Sequence, residues 1–374
     1  MEKTEELFFE LIRVAIGTSD SLSHIPSSKE WKALFDMAKK QSLIGVCFAA
    51  LQRLGADADE GFARIGMSEI QYLTWMGVTA KIKLKNEALN QRCVELQAKL
   101  SVDGFRSCIL KGQGVAALYR LHDNDNHDLS GLRQSGDIDV WVEGGMAKVM
   151  QWVRKYNPEA VGDYVHTHMN IFDETEVEVH YRYGLLYNLR MNRKLQKWFE
   201  VQREFEHIEM CGEQITVPSA QFNAIYLMLH TYRHLFASGV GLRQVMDYYF
   251  LLKSRGRDID TVKFNKEIDQ FGLRRFAGAL IWVIKTVLVG HDDDNDDDNF
   301  FLGIEANEEE GRYLLNLIME GGNFGHAKKN TENHSHNGAM INMMRHSAHL
   351  ALHYGHEALW APIWHVYHFF WKRL

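Results

Sequence analysis

The chain has 374 residues, 46% hydrophobic and 24% charged, with only four prolines. That composition excludes a disordered, fibrous or proline-rich chain and gives length for two or three domains. The 42 basic and 49 acidic residues leave a net charge of −7, and six of the acids crowd into Asp292–Asp298. A surface for long nucleic acid needs a basic excess that this balance lacks.

The first hundred residues read as helices. Leu7, Leu11 and Val14 share one helical face, and Trp31, Leu34, Phe35, Ala38, Leu43, Val46 and Leu51 keep a period near 3.6 through one further helix. Ser27 or Ser28 would cap it, with Glu30 in its first turn. A long helix without proline is predicted over Ile70–Leu100. The pattern changes at Asp103-Gly104. Phe105–Leu110 reads as a strand, Lys111-Gly112-Gln113-Gly114 as a turn, and Val115, Leu118 and Tyr119 as a helix. Residues 122–135 read as a polar loop, Asp137–Val142 as a strand and Met146–Tyr156 as a helix. Tyr164–Phe172 and Glu176–Tyr181 form a predicted antiparallel hairpin, and Ile208 and Ile215–Val217 a further short pair. Helices are predicted over Ala220–Phe236, Leu242–Lys253, Val262–Phe271, Arg274–Val289, Asn307–Glu320 and from Gly338 onward. Residues 291–299 and 326–338 read as solvated loops. The expected division is a helical region 1–101, an α+β core 102–217 and a helical domain 218–374.

Cys47, Cys93, Cys108 and Cys211 are scattered, with no Cys-x-x-Cys pair, so neither a disulfide framework nor a zinc knuckle is indicated. Free thiols suit a reducing compartment. The opening Met1-Glu2-Lys3-Thr4-Glu5-Glu6 lacks the basic-then-apolar start of a signal peptide. Phe276–Val289 carries Lys285 and is shorter than the roughly 20 apolar residues a bilayer span requires. A soluble cytoplasmic protein is expected.

The sharpest chemical feature is Gly136-Asp137-Ile138-Asp139-Val140-Trp141-Val142. Carboxylates at i and i+2 of a strand point to one face. They suit either an amphipathic edge strand with its polar face in water or a site for a hard cation such as Mg²⁺. A third acid, Glu178, stands between Val177 and Val179 on the predicted neighbouring strand, with His180 next in its row. Three acids on adjacent strands form a cluster that needs a cation. Lys111-Gly112 joins a strand to a helix. It is either a plain turn or a phosphate-holding one, where glycine permits close backbone approach.

Lys111-Gly112, Arg133, Gly136-Asp137-Ile138-Asp139 and Val177-Glu178-Val179-His180 resemble the nucleotidyltransferase superfamily that shares the fold of DNA polymerase β. The closer likeness is to the uncharacterised nucleotidyltransferase family common in bacterial gene clusters. His230, His234, Gly241-Leu242-Arg243-Gln244 and Asp247 continue the resemblance, as does the helical stretch from Trp31 to Leu51. It implies an α+β fold: a polymerase β-like nucleotidyltransferase core, a small mixed sheet with helices, flanked by N- and C-terminal helical segments. Carried over, Asp137 and Asp139 bind Mg²⁺ (or Mn²⁺) and the triphosphate. Glu178 binds metal or activates the acceptor hydroxyl. Lys111, Gly112, Gln113, Arg133 and Gly136 hold the nucleotide. Two features depart from the pattern. Gly112-Gln113 replaces the usual Gly-Ser or Gly-Gly, and Asp137 follows Gly112 by 25 residues.

His180, His230, His234 and Arg243 are candidate pocket-lining residues. His230 and His234, at i and i+4, suit helix packing or zinc, although the first lacks the adjacent Glu of zincins. Arg243 and Asp247 read as a helix ion pair, with phosphate contact by Arg243 the alternative. His166 and His168 suit either a pocket wall near Glu178 or a surface strand. The histidines near the carboxyl end read as helix packing. The expected function is Mg²⁺-dependent transfer of a nucleoside monophosphate from an NTP to an acceptor hydroxyl, releasing pyrophosphate. The acceptor would be a small molecule, sugar or protein rather than long nucleic acid. The alternative is an inactive nucleotide-binding or interaction module that retains the fold. A kinase-like phosphotransferase ranks below both, because no His-x-Asp…Asn loop is present. The acid pair is expected to repel itself, so that Asp139→Asn leaves stability unchanged or raised.

Overall fold

The computed structural model describes residues 3–56, 61–120, 128–202, 204–237, 239–290, 299–322 and 348–371. Leu7, Leu11 and Val14 are buried along one face of α1 (Lys3–Ile16), as their spacing predicts. α2 (Ser28–Gln41) starts on the Ser27 cap. The Ser27 hydroxyl accepts the Glu30 N–H, and Glu30 accepts the Ser27 N–H at 2.8 Å. The single helix expected from Trp31 to Leu51 is two. Ser42 turns left-handed (φ 58°) and ends α2, and α3 (Ile44–Arg53) leaves in a new direction. α3 buries every residue from Ile44 to Leu51, which no one-sided continuation of α2 could do. A short helix, α4 (Gly61–Arg64), precedes α5 (Glu69–Val102), which is capped by a Ser68–Gln71 box.

β1 (Ser107–Ile109) leads through a turn into the four-residue α6 (Gln113–Ala116). β2 (Ile138–Val142) is followed by α7 (Gly145–Val153), and β3 (His166–Met169) and β4 (Val177–His180) form the expected antiparallel hairpin. The sheet order is β1-β2-β4-β3, with β2 antiparallel to β1 and parallel to β4. This is the expected α+β architecture with a small mixed sheet. The amphipathic edge strand is not what forms. β2 is central and every one of its residues is buried. Alternation looks the same in the sequence whether a polar face meets water or a covering helix. Here Ile138, Val140 and Val142 pack on α5 and α7 through Leu89, Cys93, Leu96, Val149 and Val153. Asp139 and Trp141 take the opposite face.

The loop expected at 122–135 is described from Asp128 onward, and there it is packed rather than solvated. Leu129, Leu132 and Arg133 are buried. Gly45 of α3 lets this segment close in, since a Cβ there would sit 2.5 Å from the Leu132 carbonyl oxygen. Residues 122–127, 291–298 and 323–347, which hold the remainder of the predicted loops, lie outside the described residues.

A helix absent from the sequence reading, α8 (Leu189–Val201), follows the hairpin on an Asn188 cap. The pair β5 (Phe205–Met210) and β6 (Glu213–Pro218) then leads into α9 (Ala220–Phe236), capped by Ser219. α10 (Leu242–Arg255), α11 (Thr261–Gln270), α12 (Arg274–Ile284) with a π-helical turn Lys285–Val289, and α13 (Glu308–Gly321) follow as predicted. The last predicted helix is interrupted at 359–360, giving α14 (348–358) and α15 (Ala361–Trp371). Amino- and carboxyl-terminal helices share one apolar core. Arg13 donates to the Thr286 carbonyl at 2.6 Å, and buried Gln41 donates to that of Ile318 at 2.9 Å. No described helix is long and apolar enough to cross a membrane.

Candidate functional site

Parallel pairing of β2 with β4 sets Asp139 directly beside Glu178. Period-two alternation then puts His180 on the same face as both. One step before β2, Asp137 reaches the same cleft. The cleft is a cavity of about 110 Å³ that Lys111, Gly112, Arg133, Gly136, Asp137, Asp139 and Glu178 line from the sheet side. α9 and α10 close it with His230, His234 and Arg243 among others. The first turn of α6 comes within reach because Gly112 takes φ 61° and ψ −116°, a conformation that only glycine adopts readily.

Asp139 is 2% exposed, and one of its oxygens, Oδ1, accepts from both Lys111 Nζ (3.0 Å) and His180 Nε2 (2.9 Å). His180 Nε2 also lies 3.4 Å from Glu178 Oε2. Burial works against the His180 imidazolium, but its hydrogen bonds to Asp139 and Glu178 prevail and carry its pKa up to about 9. Burial likewise disfavours charge on Glu178. The His180 hydrogen bond and the Lys111 ammonium overcome that and hold Glu178 well below the usual carboxylate range. Asp137 feels the Lys111 and Arg243 charges, but among the described residues it accepts no such hydrogen bond. Burial, then the adjoining Asp139 carboxylate, push it up to about 6. Asp137, Asp139 and Glu178 thus face Lys111 and His180, while Arg133, Arg243 and Asp247 add two further cations and one acid to the cleft wall.

The acid and histidine ligand atoms that lie within 4.8 Å of one another belong to Asp139, Glu178 and His180. Asp137 is outside that group, at the same cleft. A second such group, His166, His168 and Glu178, lies on the outer side, where His166 Nε2 is 3.8 Å from Glu178. Glu176 is turned away to His168 at 2.8 Å. The hard oxygen donors of Asp137, Asp139 and Glu178, gathered at one cleft, fit Mg²⁺ or Mn²⁺.

Arg133 and Asp247 come together across 114 residues. Arg133 donates to both Asp247 oxygens at 2.7 Å and to Ser135 Oγ at 2.8 Å, and Tyr119 donates to Asp247 Oδ1 at 2.6 Å. The expected Arg243–Asp247 helix pair is thus replaced. Arg243 donates to the Gln134 carbonyl at 2.5 Å, so two arginines fasten the segment that leads into β2. Asn86 of α5 completes the clamp, donating to the carbonyls of Gly131 and Arg133 at 2.8 Å each. Gln113 does not face the cleft. It is buried and donates to the Asn86 carbonyl and to Asn90 Oδ1. His230 and His234 face the cleft with ring centroids 4.3 Å apart. Burial, then the Lys111 charge, keep both neutral, with His234 down to about 3.

A model of the uncharacterised nucleotidyltransferase family matches residues 27–288. The chain belongs to that family. The matched span runs from the cap of α2 into the π-helical turn after α12, so it contains every cleft residue and leaves α13–α15 outside. Among solved structures, an antigenic nucleotidyltransferase-like protein from Paracoccidioides brasiliensis is 12% identical, with a TM-score of 0.32, over 61% of this chain and 95% of that one. No match was found among curated proteins.

Tyr119, Ser135 and Asn86 were missed by the sequence reading. Asn86 acts through backbone carbonyls, Ser135 through Arg133 and Tyr119 through Asp247, and no local spacing marks such a role.

Proposed function

We propose that this protein transfers a nucleoside monophosphate from an NTP to an acceptor hydroxyl, releasing pyrophosphate. The observation that carries the reading is the register of Asp139 with Glu178 in one buried cleft, with Asp137 and Lys111 at its walls. Asp137, Asp139 and Glu178 would hold Mg²⁺ or Mn²⁺, which when bound neutralises charge between the acids and the triphosphate. Lys111 supplies a mobile cation for the phosphates, and the Gly112 turn lets backbone approach them. Glu178, held ionised, orients the acceptor hydroxyl and takes its proton as the oxygen attacks the α-phosphorus. The Arg133–Asp247 and Asn86 contacts keep the Asp137 segment in place, so catalysis rests on positioning and charge. In this reading residues 102–217 form the catalytic core, and the segments 1–101 and 218–374 supply its supports and outer wall.

One observation favours the inactive alternative. Lys111 and His180 already occupy Asp139 Oδ1, as they would in a cleft that has no need of a divalent ion. Titrating the protein with each of four NTPs, with Mg²⁺ and with EDTA, tests both. Mg²⁺-dependent NTP binding with pyrophosphate release on adding an acceptor pool supports transfer. Binding without release over long incubation supports the inactive module, and no binding removes both.

A further inference from the structure

A second cavity, of about 390 Å³, lies on the far side of Glu178 from the nucleotide cleft. Lys111, Glu178, His230 and His234 line both spaces, so they form a shared wall. The size falls within the roughly 300–1,000 Å³ of small-molecule sites. Tyr183, Tyr187 and Tyr226 give the cavity an aromatic lining, and Trp364 of α15 closes it. Arg233 of α9 enters the same space. Its guanidinium lies 5.2 Å from the Tyr187 ring centroid and donates to the Leu185 carbonyl at 3.4 Å; Glu357 acts on it electrostatically, but among the described residues no acid forms a salt bridge with it. His180 also lines the cavity. It is 4% exposed, and among the described residues its Nδ1 has no hydrogen-bond partner, whereas its Nε2 is held by Asp139. The cavity therefore offers flat apolar faces, a cation with no salt bridge among the described residues, and a buried polar atom beside the acid that would take the hydroxyl proton.

We infer that this cavity is the acceptor site, and that the acceptor is a hydroxylated small-molecule anion with a flat apolar face. The inference rests on the nucleotidyl-transfer reading and deepens it. The acceptor's flat face lies on the tyrosines and Trp364, its anionic group meets Arg233, and its hydroxyl reaches the shared wall at Glu178. There the hydroxyl oxygen bonds to the α-phosphorus of the NTP, the bond from that phosphorus to pyrophosphate breaks, and the proton passes to Glu178. An aryl ring and a sugar ring both offer such a face. Trp364, His365 and His368 belong to α15, outside the span matched by the family model, so the closing wall is supplied by this chain's own carboxyl-terminal helix.

The test uses the full chain and two probes, 4-hydroxyphenylacetate for the aryl source and glucuronate for the sugar source, each titrated calorimetrically. At least one binds the wild type, and Arg233→Gln and Trp364→Ala each weaken it tenfold or more. The same variants keep the wild-type thermal shift with Mg²⁺–NTP. Arg233→Gln guards against a Trp364→Ala variant that fails to fold, because Arg233 is only partly buried. Binding of neither probe, or unchanged binding in the Arg233→Gln variant, overturns the assignment and leaves nucleotide binding standing. A wild type that binds a probe but no Mg²⁺–NTP overturns the acceptor role through the reading on which it rests.

Discussion

Replacing Asp139 by Asn removes one buried charge and keeps the shape. The sequence, seen alone, suggests relief of repulsion between two clustered acids. The structure reverses that sign. Asp139 Oδ1 accepts from Lys111 at 3.0 Å and from His180 at 2.9 Å, and it is 2% exposed. Hydrogen bonds to charged groups contribute about 1.5–3 kcal/mol each. The Asn carbonyl still accepts from both donors, so only the charged part is lost. His180 can shed its proton once Asp139 no longer holds it, and Asp137 gains from losing a like neighbour. The net expectation is a loss of about 1–3 kcal/mol in the ligand-free protein, because the two favourable contacts exceed the one repulsion relieved. Urea unfolding with EDTA measures it. With Mg²⁺–NTP at about 100 times its dissociation constant, the wild type gains about 2.7 kcal/mol and the variant gains none. A variant stabilised by Mg²⁺–NTP as much as the wild type would place the nucleotide elsewhere. One that matches the wild type in EDTA to within about 0.5 kcal/mol would mean that the Lys111 and His180 contacts contribute nothing.

Asp247→Ala strands the buried Arg133 guanidinium and should cost about 3–5 kcal/mol in denaturant unfolding, whereas loss of under about 1 kcal/mol would show that the clamp is dispensable. Lys111→Ala removes a competitor for Asp139 and a partner for phosphate. It should therefore strengthen binding of Mg²⁺ alone severalfold and weaken that of Mg²⁺–NTP tenfold or more, and calorimetric shifts in one common direction would refute the dual role. Glu357, 1% exposed, accepts the N–H groups of Tyr187 and Asn188, yet burial raises its pKa from 4.5 to about 7. The folded chain keeps a proton that the unfolded chain releases, so stability should fall between pH 4.5 and pH 7, by about 3 kcal/mol, and level off above. Urea midpoints at pH 5 and 8 should show that fall in the wild type and a smaller one in Glu357→Gln; equal slopes would refute it.

Local signals carried most of the elements. Ser27, Ser219 and the alternation around Asp139 and Glu178 are each written within a few residues, and the structure follows them. The signal for α8 was present too. Met191, Leu195, Trp198 and Phe199 follow helical spacing after Asn188, a residue type that favours a cap, but the surrounding Arg and Lys masked it. The break at Ser42 has no glycine or proline to announce it. Whether β2 is central, and that it runs parallel to β4, depends on partners about 40 residues away, which alternation within one strand cannot encode. The pairing of Arg133 with Asp247 is the clearest case. The sequence offers Arg243 one turn away, and the fold supplies a partner 114 residues distant with better bidentate geometry.

The same contrast bears on the cleft. Spacing alone presents the acids as a repelling cluster, and that repulsion is the usual ground for inferring a metal. In the folded chain Lys111 and His180 offset much of it, so ligand-free stability does not require a divalent ion. The two cations differ in freedom. His180 is short, buried and set in β4 beside Asp139. Lys111 is a point charge on a flexible stem at the mouth of the Gly112 turn, and it can leave Asp139 for a phosphate without unfolding anything. In the proposed reaction, Asp139 would exchange Lys111 for a divalent ion and Lys111 would pass to the triphosphate, so that Mg²⁺–NTP would supply both partners. Metal alone brings only the first. Binding of metal should therefore depend on nucleotide, and under the proposed reading the exchange of Lys111 between carboxylate and phosphate would be the physical step that separates an active cleft from an inert one.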